Sequence, residues 1–429
     1  MKKTKKVLLG ILLTLFFHGM QSCIAAEIQL NAQVINEIDK NTEIEKAIQE
    51  REEASELYDT PVFLETEEST LNIQPTGTLQ TTTIQNSFYN RIVQNAKNIY
   101  SLQVENTNTV PALLAESLTW DLERGPVEKL HLWGSFGTLM SADFPQSDDA
   151  SVNYTSNNIN ILLNGKMKTG KEDFALMFDV TPMHRNFFQM FVQDAYFQTH
   201  RVKNHSILFG NSRPGVGFEG AQSPYTLPLV NRSQISRHFG AVRKVGVRVR
   251  SDYDVVNYDI GGYSSDTFFT EFIPGVEFDG WVSVKPLAKT DGKYGKISTG
   301  AGIVAGDRNN VDFFVTGAYI GYEYKRLWMR SEFATADGSN GATGLSSKNR
   351  EGWYTTLGYH LTPKVELIAR YDEFDQDKKV KHNNRREYTA GLNYYVKGQA
   401  MKLILNYIYC QTQNQLNSHR LLLGTQLIL

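Results

Sequence analysis

The sequence predicts an all-β protein: a 16-stranded antiparallel transmembrane β-barrel preceded by a short helical or irregular periplasmic segment. Two observations lead to this prediction. Residues 350–429 fall into short segments in which apolar and polar side chains alternate, and the connections between segments alternate between short and long. Alternation with a period of two marks a half-buried strand. Short turns alternating with longer loops are typical of outer-membrane barrels.

The alternation is clearest near the C-terminus. Along residues 401–409 every second side chain is apolar, and Lys402 and Asn406 lie between them. The same pattern occupies residues 388–396 and 421–429. One aliphatic and aromatic face opposite a polar, glycine-containing face indicates strands between lipid and a polar lumen. A soluble β-sandwich would need a second layer over the apolar faces, and the rest of the chain supplies none.

Composition agrees with a barrel. The chain has 429 residues, of which 41% are hydrophobic and 11% aromatic, and its mean hydropathy is −0.36. These values exclude a polytopic helical membrane protein, and after residue 20 no apolar run approaches the length of a membrane-spanning helix. A barrel escapes a hydropathy scan because only every second residue faces lipid. The aromatic content suits the girdles at the two membrane interfaces.

The N-terminus is expected to be an export signal over residues 1–26. Four lysines precede the apolar core at residues 7–20, and Ala25 and Ala26 offer small residues for cleavage. Cys23 leaves open a lipoprotein signal. Cleavage after Ala25 or Ala26 would remove Cys23 and leave Cys410 as the only cysteine, so the mature chain could not form an internal disulfide framework. Export together with strand patterning predicts the outer membrane of a Gram-negative-type bacterium.

Residues 27–126 are predicted to be a periplasmic helical segment and linker. The part from 27 to 60 is acidic and helix-prone, and Thr42 with Glu45 fits a capping box. Its apolar heptad is broken, which favours a solvated helix or tether over a short oligomerising coiled coil. Polar residues dominate the remainder, with small helices expected at 88–103 and 111–121.

The barrel is predicted to occupy residues 127–429. Its sixteen strands are expected near 129–140, 157–167, 172–181, 189–200, 204–211, 240–251, 254–263, 276–286, 293–305, 311–325, 326–336, 351–362, 364–374, 386–397, 399–411 and 419–429. Connections after odd-numbered strands are generally the longer, which places the N-terminal region in the periplasm. Long connections are expected at 141–156, 211–239, 264–275 and 337–350. Sixteen strands is also the size at which a barrel encloses an aqueous channel.

The longest connection, residues 211–239, is the third outer loop of this scheme. It is less polar than a free surface loop and contains Pro214, Pro224 and Pro228. Such a segment either folds into the lumen or packs outside on its neighbours. We favour the inward loop, which would narrow the channel.

Basic residues concentrate in the same region. Residues 201–250 contain nine lysines and arginines against one acid, Glu219. If Val245, Val247 and Val249 face lipid, then the basic residues beside them face the lumen, because an arginine or lysine on the lipid face at mid-membrane costs roughly 2–4 kcal/mol. The candidate anion-binding and constriction residues are Arg213, Arg232, Arg237, Arg243, Lys244, Arg248 and Arg250.

Cations at a constriction attract anions, and a wall of low dielectric constant strengthens the attraction. Guanidinium groups suit phosphate or carboxylate. The alternative is that acids in the lumen neutralise the basic cluster. The acids expected to face the lumen are Asp179, Asp194, Asp259, Glu332, Glu366 and Asp372.

Several segments resemble the porin O/P family, the phosphate-selective porins of Gram-negative outer membranes. They are Val192–Phe197, Leu208–Glu219, Ser223–Tyr225, Asn231–Ser233 and Arg243–Val247. The resemblance implies a 16-stranded barrel, usually trimeric, with a basic constriction formed by inward loops. It also implies that a periplasmic coiled coil sometimes precedes the barrel.

We therefore predict an outer-membrane porin for passive diffusion of small solutes, favouring anions such as phosphate. The alternatives are a structural or adhesive barrel tethered to the cell wall by its N-terminal segment, and a porin without charge preference. No P-loop, Gly-x-Ser-x-Gly or His-Glu-x-x-His motif occurs, so no enzyme activity is expected. The expected partners are small anionic solutes, outer-membrane lipid and two further copies in a homotrimer, with no nucleic acid, no metal and no cofactor.

Overall fold

A computed structural model describes residues 101–105, 118–146, 149–181, 191–266, 271, 273–290, 292–413 and 415–429. The signal peptide predicted at 1–26 and the tether or coiled coil predicted at 27–60 lie outside the described residues. The same holds for residues 61–100 of the predicted linker. The domain boundary at residue 127 therefore stays a prediction.

Within this described part the structure is almost entirely β-strand. The strands are β1 (Leu118–Asp121), β2 (Val127–Pro145), β3 (Ser151–Met167), β4 (Glu172–Asp179), β5 (Val192–Thr199), β6 (His205–Ser212), β7 (Lys244–Ser251), β8 (Val256–Ser264), β9 (Val276–Val284), β10 (Lys296–Arg308), β11 (Val311–Tyr324), β12 (Leu327–Gly341), β13 (Gly344–Thr362), β14 (Val365–Asp375), β15 (Asn384–Lys397), β16 (Met401–Thr412) and β17 (Ser418–Ile428). All sixteen predicted strands are present at the predicted places.

Strands β2 to β17 form a closed antiparallel barrel. Each pairs with the next along the chain, and β17 returns to β2 in the register that joins Ser418 to Pro145 and Ile428 to Ser135. The terminal Leu429 continues this seam, since its backbone exchanges two hydrogen bonds with Gly134. The predicted 16-stranded barrel is thus confirmed.

Strand β1 corrects one prediction. A small helix was expected at 111–121, but Leu118–Asp121 is a strand that pairs with residues 129–132 of β2. The physical reason is that β2 begins before β17 reaches it, which leaves the first residues of β2 with an unpaired edge. An added strand satisfies the backbone groups at that edge.

Alternation of exposure along the strands distinguishes the lipid face from the lumen face. On β16, Leu403 and Leu405 are 41% and 39% exposed, whereas Lys402 and Asn406 are at most 1% exposed. The exposed side chains are the apolar ones, as expected for a surface that faces hydrocarbon. Polar side chains such as Lys402 therefore mark the interior of the barrel.

Two of the four long loops predicted from the sequence, those at 141–156 and 337–350, are wrong predictions. Strand β2 continues to Pro145, and β3 already begins at Ser151. Likewise, β12 continues to Gly341 and β13 begins at Gly344. Both pairs are therefore long hairpins with short tips. The outer half of the β12–β13 hairpin carries few apolar side chains, so it lacks the alternation from which the strands were predicted. In the β2–β3 hairpin Phe144, Val152 and Tyr154 continue the alternation on the exposed face, so the sequence prediction ended these strands too early. The other two long connections are present, at residues 213–243 and 265–275.

The helices are short. Residues 213–243 contain α1 (Phe218–Ala221), a 3-10 turn at Pro224–Thr226 and α2 (Gln234–Phe239), and a further 3-10 turn covers Ser101–Gln103. In the described part of the chain, no helix has the length and apolar character needed to cross a membrane.

Candidate functional site

Residues 213–243, which we call the inward loop, fill much of the barrel interior. All of its residues are buried except Gly217, Pro224, Arg237 and His238, which are half-buried. A free outer loop would be largely exposed. The inward position predicted for this connection agrees with the structure.

The loop reaches the wall formed by the first and last strands of the barrel. The hydroxyl of Tyr225 lies 2.8 Å from Ser135 Oγ on β2 and accepts a 3.0 Å hydrogen bond from Asn160 on β3. On β16, Lys402 Nζ donates to the carbonyl oxygens of Tyr225, at 3.0 Å, and Leu227, at 2.9 Å. These polar side chains lie on the interior face, so the loop crosses the lumen.

A second set of contacts fixes the short helices of the loop. At the start of α2, the amide of Gln234 donates a 2.8 Å hydrogen bond to Asp372 on β14, a strand eight positions from β6 around the ring. At α1, the amide of Phe218 donates a 2.9 Å hydrogen bond to Glu332 on β12. Carboxylates at both helix starts accept from amides that have no partner within the helix.

Glu219 is the centre of the charge network. Its carboxylate lies 3.1 Å from Arg330 on β12 and 3.5 Å from Arg370 on β14, and it accepts a 2.5 Å hydrogen bond from the amide of Ser233 within the loop. Arg330 also lies over the ring of Phe218, 4.6 Å from its centroid. One loop carboxylate therefore joins two strands of the wall.

Glu219 lies in the loop, outside the membrane-spanning strands. Burial raises the pKa of its carboxyl, but the charges of Arg370 and Arg330 and the hydrogen bond from Ser233 outweigh burial. The net effect holds the pKa of Glu219 below its ordinary value. Glu219 is thus ionised at neutral pH, and the loop is held electrostatically.

Four of the seven predicted site residues are paired with acids. Arg243 lies 2.6 Å from Asp194, and Arg248 Nε donates a 2.7 Å hydrogen bond to Asp259. Lys244 forms a buried ion pair with Glu277, and Arg237 lies 3.4 Å from Glu387. The bases face the interior as predicted, but these four do not form an unpaired cationic ladder.

The other three predicted residues donate to neutral oxygens. Arg213 and Arg232 converge on the carbonyl oxygen of Gln222, at 2.8 and 2.5 Å. Arg250 donates a 3.3 Å hydrogen bond to the side-chain amide oxygen of Gln198. The structure therefore groups Arg213 with Arg232 in the loop, and places Arg250 on β7.

The six predicted lumen acids are found in the interior, where Glu332, Glu366 and Asp372 contact the loop or the wall beside it. Sequence reasoning missed Arg330, Arg370 and Lys402, which hold the loop. Their signal was present, because each is a charged residue on the polar side of an alternating strand. The alternation of polar and apolar residues does not show which group across the lumen each of these side chains contacts.

The described residues offer little for cofactor chemistry. They contain no group of three or more His, Cys, Asp or Glu side chains placed to hold a metal ion. Cys410 is a buried free thiol within an apolar cluster that includes Val230 of the loop. Its environment is that of a packing residue.

The chain was compared with known protein families. The family model described as phosphate-selective porin O and P matches residues 275–428. The resemblance to the porin O/P family is confirmed. The matched region begins at the N-terminal end of β9 and runs through the last strand, so it covers half of the barrel. A comparison with curated proteins gives no significant match.

Solved structures show the same architecture. An anion-selective porin from Comamonas acidovorans superimposes with a TM-score of 0.54 at 11% identity, covering 70% of this chain and 99% of that one. The outer-membrane channel DcaP of Acinetobacter baumannii gives a TM-score of 0.50 at 11% identity, with 72% and 99% covered. At such identities the similarity shows the fold. Family match and fold together support an outer-membrane channel.

Proposed function

We propose that this protein is a porin through which small solutes diffuse passively, with a preference for anions such as phosphate. The observation that supports a narrowed channel is the course of the inward loop. Sixteen strands enclose a lumen wide enough for water, and Glu219 fixes the loop across it through Arg330 and Arg370. A fixed internal loop sets the size of the solutes that pass.

The proposed anion preference depends on the concentration of bases inside the barrel. Arg213 and Arg232 lie in the inward loop and Arg250 lies on the interior face of β7, beside the four predicted bases that pair with acids. Guanidinium groups bind phosphate and carboxylate with matched geometry. The acids that pair with Arg237, Arg243, Lys244 and Arg248 offset part of this positive charge, which makes the expected preference modest.

Orientation and assembly are parts of the same proposal. The end of the barrel with turns such as Lys325–Arg326 and Pro363–Lys364 is assigned to the periplasm, because outer-membrane barrels carry their short turns there. The exposed apolar face is assigned to contact with lipid. By analogy with the family we also propose a homotrimer. The lysines and the apolar core at the N-terminus support the proposed export signal at residues 1–26.

The test is the reversal potential of the purified protein in planar bilayers across a KCl gradient. Wild type is compared with Arg232→Ala and Arg250→Ala, and with Lys203→Ala as the control for an exposed base in a turn. We expect an anion-selective potential that decreases in the two arginine variants and is unchanged in the control. Conductance without selectivity would reject the anion preference alone. Absence of conductance from folded protein would reject the channel.

A further inference from the structure

A second element of the chain lies inside the barrel. We call residues Ser101–Glu105 the inner segment, and they precede the first strand. The side chains of Leu102, Gln103 and Val104 are at most 1% exposed. A short segment with a single 3-10 turn buries its own side chains only if something surrounds it, and here the barrel wall and the inward loop do so.

The wall has an apolar patch that fits this segment. Val104 packs with Trp328 of β12, Ile368 of β14 and Leu229 of the inward loop, all of them buried. Trp328 and Ile368 point into the lumen, where a porin wall is normally polar. Removing such side chains from water is favourable, so the patch favours an apolar occupant over water.

Close backbone approach shows that the fit is specific. A Cβ built on Gly321 of β11 would lie 3.0 Å from Val104 Cγ1. Without a Cβ at this position, Val104 packs against the wall with no shift of either group. The wall is therefore shaped for this residue.

Hydrogen bonds join the inner segment to the inward loop. Gln103 Nε2 donates to the carbonyl oxygen of Thr226 at 2.8 Å, and Gln222 Nε2 donates to Gln103 Oε1 at 3.2 Å. Arg330, which holds Glu219, also donates to the carbonyl oxygen of Gln103 at 3.4 Å. The two elements form one assembly inside the lumen.

The position of the contacts assigns the inner segment to one end of the channel. Trp328 is the second residue of β12, directly after the two-residue turn Lys325–Arg326, and Gly321 lies just before the same turn. This is the short-turn end of the barrel. The inward loop reaches the segment from the side of the other end, because it follows β6.

We propose that the inner segment is a second constriction, a plug that narrows the periplasmic end of the pore. The inference rests on the proposed channel function and adds a controlling element from the N-terminal side of the barrel. When the segment leaves its patch, the cross-section at that end increases. Conductance then depends on whether Leu102 and Val104 are seated.

Seating is tested with a disulfide in the full-length chain. The Cβ atom built on Gly321 lies 3.5 Å from Val104 Cβ, within the range of about 3.5–4.5 Å found in disulfides. The variant is Val104→Cys with Gly321→Cys, in a Cys410→Ser background. We expect the bond to form without added oxidant during export and to be detected by mass spectrometry. Free thiols in folded protein would overturn the inference, whatever the conductance.

The constriction itself is tested by unseating the segment with Leu102→Ser and Val104→Ser combined. The matched control is Val152→Ser with Leu416→Ser, at positions that are 66% and 59% exposed. We expect a roughly twofold rise in single-channel conductance, since the open cross-section grows, and no rise in the control. The disulfide-bonded variant is expected to conduct no better than wild type.

The outcomes separate the two proposals. Equal conductance of wild type and the unseated variant would overturn the constriction and leave the channel intact. Conductance in the unseated variant alone would support both proposals, with the plug closing the pore fully. If neither wild type nor the unseated variant conducts, although both are folded and the disulfide forms, the channel proposal fails. If the serine variant does not fold, the disulfide-bonded variant is used instead, and its disulfide is reduced during the recording. An unchanged conductance after reduction would then count against the plug.

Discussion

The carboxylate of Glu219 lies 3.1 Å from the guanidinium of Arg330, and the two side chains are 1% and 0% exposed. One belongs to the inward loop and the other to the barrel wall. A charge pair removed from water in this way is held only because each partner neutralises the other. It joins the loop to the wall together with the contact of Glu219 to Arg370.

Replacing Glu219 with glutamine should therefore release the loop. Arg330 would be left buried without the carboxylate that lies 3.1 Å away, and Arg370 would keep only Asp372, at 4.0 Å; breaking a buried pair in this way costs roughly 3–5 kcal/mol. We expect a lower free energy of unfolding in detergent or lipid, and larger fluctuations of single-channel current. The control is Glu123→Gln, at an exposed acid before β2. A Glu219→Gln protein with the free energy of unfolding and the current fluctuations of wild type would contradict this role.

The ion pair of Glu219 and Arg330 also predicts how the stability of the protein depends on pH. The folded-state pKa of Glu219 is held below its ordinary value of 4.5. Its stabilisation is present above that pH and is lost as the pH falls through the folded-state pKa. The difference in unfolding free energy between wild type and Glu219→Gln should be full near neutral pH and shrink in acid below about pH 4. A difference independent of pH would show that Glu219 does not act through its charge.

Lys402 should hold the central part of the loop. Its ammonium donates hydrogen bonds to the carbonyl oxygens of Tyr225 and Leu227 and to Gln399 Oε1. Lys402→Met removes these donors while keeping an unbranched side chain, and should cost about 1–3 kcal/mol. We expect faster proteolysis within residues 222–230 of the folded protein. Lys397→Met, at an exposed lysine of β15, should leave the digestion rate unchanged, and equal rates in all three proteins would contradict the assignment.

Arg248 tests whether a paired base carries selectivity. Arg248→Ala leaves the carboxylate of Asp259 without its 2.7 Å partner and adds a negative charge to the lumen. We expect the reversal potential to shift towards cations. The double variant Arg248→Ala with Asp259→Ala removes both charges and should return towards wild type. A double variant with the same reversal potential as Arg248→Ala would show that Asp259 does not carry the charge that Arg248 balances.

The sequence was sufficient to predict the barrel because each lipid-facing strand must alternate. The pattern Met401–Tyr409 gives one apolar and one polar face, which suits a strand between lipid and a polar lumen, and β16 is present there. Leu118–Asp121 was missed because four residues carry too little periodicity to outweigh a helical prediction. Its strand forms only because β2 offers an edge that β17 does not reach.

The site was predictable in part. The concentration of bases around residues 201–250 indicated the region of the constriction, and the alternation with Val245 and Val247 gave the direction of Lys244 and Arg248. The partners were not predictable, because Arg243 and Asp194 are 49 residues apart in the chain and their contact depends on register and loop path. Pairing across space, rather than residue type, decides how much positive charge remains.

The most direct test of the central claim is the swelling of liposomes that contain the folded, purified protein, with uncharged sugars of increasing size. We expect swelling with small sugars, a sharp size limit set by the inward loop, and an upward shift of that limit in Glu219→Gln. Folding is verified by the β-sheet circular dichroism spectrum and by heat-modifiable mobility in gels. Liposomes that do not swell with any sugar, for wild type and Glu219→Gln alike, would contradict a diffusion channel.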